Sequence, residues 1–147
     1  MSSRKSVSFN LTLQVRDACL CLHVQRAARA LARRFDAVLR PLDLTNGQFS
    51  LLMSLNRPQP PSLAPVAQLL AMDRTTLTAA LKPLERRGLV KSAADKDDRR
   101  SRRVALTAAG HKLLAQAIPL WKKTHAEIER RLPRSAGALR SDLVALS

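Results

Sequence analysis

Apolar residues recur every three or four positions through most of the chain, the period of helices with one dry face. In "DACLCLHVQRAARALARRFDAVLRPL", Cys21, Val24, Ala28, Leu31, Phe35, Val38 and Leu42 mark one side of a long helix. Arg26, Arg29, Arg33, Arg34 and Arg40 take other positions, and Pro41 with "DLTNG" ends the run. "TNGQFSLLMSL" predicts a short helix with Thr45 or Asn46 as its N-cap. "NRPQPPS" is a rigid connector, and "LAPVAQLLAM" is a second short helix ending near Met72. In "MDRTTLTAALKPLERRGLV", Asp73 caps the helix by accepting from the Thr76 amide. Leu77, Ala80, Leu81 and Leu84 form the buried stripe, and Gly88 suits a left-handed C-terminal cap. Pro83 predicts a kink rather than a break. The period then shortens: "LVKSAA" and "RRVALT" read as strands of a hairpin with a long charged tip, "DKDDRRS". "TAAGHKLLAQAIPLWKKTHAEIERRL" is another long helix, with Leu114, Ala117, Trp121, Thr124, Ile128 and Leu132 inward and Pro119 as a bend point. A last helix, "ALRSDLVALS", follows "PRSAG". The first fifteen or so residues are polar and mixed, and read as a flexible arm.

Composition supports a mainly α fold with a small β-hairpin. The 147 residues suit one domain with its own core, Gly is scarce, and Tyr is absent. Charge adds a partner class. A formal net charge of +15 and a pI near 11.6 create a field that attracts DNA, RNA or an anionic membrane surface. Charge alone does not choose among them. Cys19 and Cys21, separated by one residue, do not suggest a secreted disulfide scaffold. The first residues lack the apolar core of a signal peptide, and no run approaches a membrane span. A cytoplasmic location without membrane association is the expectation.

Two short helices joined by a tight turn, followed by a basic hairpin, make a winged helix-turn-helix. Its second helix carries small hydroxyls and cations fit for base edges in a major groove. The hairpin tip then reaches the adjacent minor groove, where arginine works through charge and shape. Asp98 stands two residues before Arg100, placed to hold that guanidinium in one pose and so reduce its entropy loss on binding. The competing reading is a solvated turn with fortuitous charge.

These residues carry a resemblance. "LTNGQFSLL", "VAQLLAMDRTTLTAALKPLERRGLV" and "DKDDRRSRRVALTAAG" resemble the MarR family of bacterial transcription regulators, from about Cys19 to Leu132. Asp95, Asp98, Arg100, Leu106, Thr107 and Gly110 match the family's wing pattern in order, and Lys96 departs from its usual Pro. The resemblance implies a homodimer on double-stranded DNA with a roughly palindromic operator. Residues 1–44 would hold the arm and a long dimerisation helix, 45–107 the winged DNA-binding region, and 108–147 further dimerisation helices. Carried over by position, Arg74, Thr75, Thr76, Thr78 and Lys82 face the major groove, and Arg99 and Arg100 serve the wing. The Thr76 hydroxyl also has backbone within reach.

The resemblance further implies a small-molecule effector in a pocket between the dimer helices and the winged module. His23, Arg26, Phe35, Phe49, Met53 and Trp121 are the candidates. Cations beside apolar walls suit an anionic aromatic or a thioester; the same residues could equally serve packing or surface. Some family members sense organic hydroperoxides through a cysteine near the start of the first long helix, where Cys21 stands. Those members use tyrosines beside the thiol; here Gln25 and Phe35 occupy the positions to inspect. Cys21 also lies on the apolar stripe, as a small core hydrophobe would. Cys19 and His23 share a helix face but Cys21 points elsewhere, so no metal is assigned, and no cofactor is expected. An enzyme is not expected: His23, His111 and His125 have no acid or nucleophile at motif spacing, and there is no phosphate loop. A non-specific nucleic-acid-binding protein would explain the charge but not the ordered helix–turn–helix–hairpin, and stacking aromatics are missing. The reading is a sequence-specific regulator, a repressor released by its ligand, with a Cys21 redox regulator as the rival.

Overall fold

A computed structural model describes residues 6–147. Among them are seven α-helices and one two-stranded sheet. The helices are α1 (Phe9–Ala18), α2 (Leu20–Leu39), α3 (Asn46–Leu55), α4 (Leu63–Leu70), α5 (Arg74–Arg86), α6 (Ala108–Arg131) and α7 (Ala136–Ala145). The strands β1 (Val90–Ala94) and β2 (Arg102–Leu106) pair antiparallel, with Ser92 opposite Val104 and Ala94 opposite Arg102. No helix among the described residues is long and apolar enough to cross a membrane.

The chain divides into two compact units, Met1–Arg34 and Phe35–Ser147. In the first, two expectations are corrected. The arm is not flexible coil over its described part: Ser8 accepts from the Leu11 amide and starts α1. The long helix does not begin at Asp17, because Cys19 is extended and separates α1 from α2. The rest of the expected arm, positions 1–5, lies outside the described residues. The apolar stripe of α2 is also open over this unit, with Val24 39% and Leu31 42% exposed. Cys21 is exposed too, so within a single chain its thiol is not part of the core.

The second unit holds the core. Leu39, Leu52, Val66, Leu77, Leu84 and Val104 are its largest fully buried side chains. Each such burial contributes roughly 1.5–3 kcal/mol before entropy is counted. α3 begins with a reciprocal cap: Thr45 Oγ1 accepts from the Gln48 amide, and Gln48 accepts from the Thr45 amide. Ala71 takes a left-handed conformation (φ 52°) and stops α4 two residues before Asp73. Pro83 and Pro119 both sit inside unbroken helices. α6 buries Gly110, Leu114, Ala117 and Thr124, whereas Trp121 and Ile128 are only half-buried.

Candidate nucleic-acid interface

Asp73 sets where α5 begins. Its carboxylate accepts from the Thr76 amide at 2.7 Å and from the Thr76 hydroxyl at 2.8 Å. The amide bond and then the hydroxyl bond hold this carboxyl below its ordinary range, so the cap is charged at neutral pH. Leu77, Leu81 and Leu84 bury one side of α5. At 3.6 residues per turn, Arg74, Thr75, Thr78 and Lys82 share an arc of roughly 100° that borders the buried side, and all four are exposed. Thr76 falls outside the arc, and its hydroxyl is committed to Asp73. Thr78 donates its hydroxyl to the Arg74 carbonyl at 2.8 Å. Arg87, which the pattern did not single out, donates to the Asp43 carbonyl at 2.6 Å and ties the end of α5 to the turn after α2.

The wing is a built turn rather than a loose loop. Asp95 accepts from the Asp97 amide at 3.1 Å, and Asp98 from the Arg100 amide at 3.0 Å. The Asp95 amide bonds the Ser101 carbonyl, closing the tip. Asp98 therefore positions the wing through the Arg100 main chain, not through the guanidinium as expected. A carboxylate one short side chain from the amide two residues on favours that turn. Arg99 and Arg100 are exposed at the tip.

The other two wing arginines point to opposite faces, as strand alternation requires. Arg103 donates to Asp95 at 2.9 Å and to the Pro60 carbonyl at 2.8 Å. Val104 donates to the Pro61 carbonyl, so the proline connector lies along β2. The Asp97 amide, followed by Arg103, lowers the Asp95 pKa. Arg102 instead lies on the α5 side and donates to Ser92 Oγ at 3.3 Å.

The ligand candidates do not form one set. Phe49, Met53 and Trp121 line a partly open cavity of about 460 Å³ with Ser50, Leu69 and Lys122. The Trp121 ring stacks on Phe49, with centroids 6.3 Å apart, and on His125 at 4.6 Å. Phe35 is buried but absent from that lining. His23 and Arg26 lie in the first unit, in a surface hollow with Arg29 and Arg33. Cys21 Sγ accepts from Gln25 Nε2 at 3.2 Å. Among the described residues no three His, Cys, Asp or Glu side chains are grouped to hold a metal ion.

Helix, turn, exposed polar helix and basic hairpin together define a winged helix-turn-helix DNA-binding module. A family model for a winged helix DNA-binding domain matches residues 44–110. The HTH-type transcriptional regulator TtmR of Methylorubrum extorquens is 35% identical over 97 residues, 66% of this chain. The match spans only 50% of TtmR. The structure of the Mycobacterium tuberculosis regulator MosR in complex with DNA is similar at TM-score 0.80 and 37% identity, covering 87% of this chain and 92% of MosR. The transcriptional repressor CouR bound to p-coumaroyl-CoA is similar at TM-score 0.78 and 27% identity, covering 90% and 94%. The chain belongs to the MarR family of winged helix-turn-helix transcription regulators.

Proposed function

We propose that this chain is a homodimeric, sequence-specific regulator that binds a roughly palindromic operator and represses until a small ligand releases it. The observation that carries the reading is the outward set on α5, Arg74, Thr75, Thr78 and Lys82, beside a wing tip bearing Arg99 and Arg100. α5 would lie in the major groove and the tip in the neighbouring minor groove. A second copy would cover the apolar residues that α1, α2 and α7 leave open. The effector would be an anionic aromatic or a thioester. Phe49 and Trp121 supply ring faces, and Lys122 supplies a cation at the same cavity; the ligand of the similar CouR belongs to this class.

A second reading is favoured by the exposure of Cys21, whose sulfur is hydrogen-bonded by Gln25. An exposed thiol could report oxidation. One experiment separates the two. Fluorescence anisotropy follows a complex with DNA from upstream of the protein's own gene, challenged separately with aromatic carboxylates, their coenzyme A thioesters, an organic hydroperoxide and zinc. Release by an acid or thioester is the expected result. Release by peroxide alone, lost in Cys21→Ser, would replace ligand gating with redox sensing. Failure to form a discrete complex would overturn autoregulation and send the test to genome-wide site selection.

A further inference from the structure

Wing and helix meet at a cleft that shares Thr78 and Lys82 with the outward set of α5. It has a volume of about 170 Å³ and is lined by Thr78 and Lys82 of α5, Ser92 of β1 and Arg102 of β2, over an apolar floor including Leu63 and Val104. The strand register explains the convergence. Ser92 opposes Val104 and Ala94 opposes Arg102, so Ser92 and Arg102 are diagonal neighbours on one face of the hairpin. Val104 is buried on that same face, which fixes it toward the helices. Ser92 then holds Arg102 by the 3.3 Å bond to one guanidinium nitrogen, leaving its other donors unengaged by Ser92. Neither Lys82 nor Arg102 has a carboxylate within ion-pair distance among the described residues. Glu85 also lines the cleft, leaving two cations against one anion.

We propose that this cleft seats one backbone phosphate of the bound DNA, gripped by Arg102 with Lys82. The proposal rests on the DNA-binding reading above. It moves Lys82 from reading bases to holding the phosphodiester between the two groove contacts. It also divides the wing's arginines: Arg99 and Arg100 are exposed in the tip turn, Arg102 grips phosphate from the tip end of β2 on the α5 side, and Arg103 is an internal strut. The occupant's chemistry follows from the lining, since a fork of guanidinium donors, an ammonium and a hydroxyl suit a compact oxyanion.

The test is the salt dependence of operator binding for wild type, Arg102→Ala and Arg102→Lys, read by anisotropy on specific and scrambled duplexes. Arg102→Ala is expected to weaken both duplexes alike and to make the slope of log K against log salt shallower by about 0.9, the value of one phosphate contact. Arg102→Lys is expected to keep the slope, because the charge remains. Wild-type binding with an unaltered slope in Arg102→Ala would overturn the seat and leave the regulator reading standing. A changed sequence preference at constant slope would overturn it as well, in favour of a groove contact. Wild type that binds neither duplex would overturn both readings together.

Discussion

Gly110 has no space for a side chain. A Cβ there would collide with the Leu89 carbonyl oxygen at the entrance to β1, and the Leu106 side chain lies just behind. The surrounding hydrogen bonds show why the approach is so close. Thr107 donates its hydroxyl to the Gly88 carbonyl at 2.6 Å, accepts from the Gly110 amide at 3.1 Å, and bonds Leu89 through its own amide. The first turn of α6 is thereby fastened to the base of the wing. Thr107 and Gly110, which the sequence offered only as part of a resemblance, thus have a mechanical explanation. Because the obstruction is backbone rather than a flexible side chain, relief requires the helix or the wing to move. Gly110→Ala is therefore expected to destabilise the protein by about 2 kcal/mol, in the range of overpacked cores. Chemical denaturation checks it; an unchanged midpoint would mean that α6 is free to shift.

On the proposed reading, α5 and the wing would carry different kinds of information: Arg74 and Thr78 on the outward arc of α5 would discriminate base edges, whereas the wing tip would contribute charge. Arg74→Ala or Thr78→Ala is expected to alter the ranking of operator variants. Arg100→Ala is expected to weaken all of them and flatten the salt slope. Competition binding against a panel of single-substitution operators reads both; uniform weakening by Arg74→Ala and Thr78→Ala would reassign them to phosphates. Most of the geometry of α5 and the wing was legible in the sequence because it is local. The Asp73 cap, the Gly88 stop and the period-two strands each depend on neighbours within a few residues. What escaped was long-range or weakly patterned. Arg103 finds the Pro60 carbonyl 43 positions away, and Arg87 finds Asp43 across 44. α1 buries no residue, so periodicity had little to report, and Ser8 was its one local sign. The extended Cys19 that divides α1 from α2 carries neither Gly nor Pro to announce it.

At the scale of the molecule, charge and apolar exposure describe two different partners. A net +15 brings DNA to the protein from a distance and makes capture salt-dependent. The open apolar surface asks for a different partner. α7 leaves Leu139, Leu143 and Val144 open, Val144 at 73%, and buries none of its residues. A helix of this kind is stabilised mainly by packing against other elements, since ten residues are too few for an isolated helix in water. Covering it with a second copy explains both its sequence and its persistence, and would set two winged modules at a fixed spacing. Affinity for a full palindrome then depends on linkage: once one module binds, the other acts at high effective concentration. The paired change Leu139→Glu with Leu143→Glu is expected to convert the dimer to monomer in sedimentation velocity. It should reduce affinity for the full operator by about two orders of magnitude or more while leaving half-site binding nearly unchanged. A variant that remains dimeric would exclude α7 from the interface. One that becomes monomeric yet keeps full-operator affinity would break the link between dimerisation and palindrome recognition.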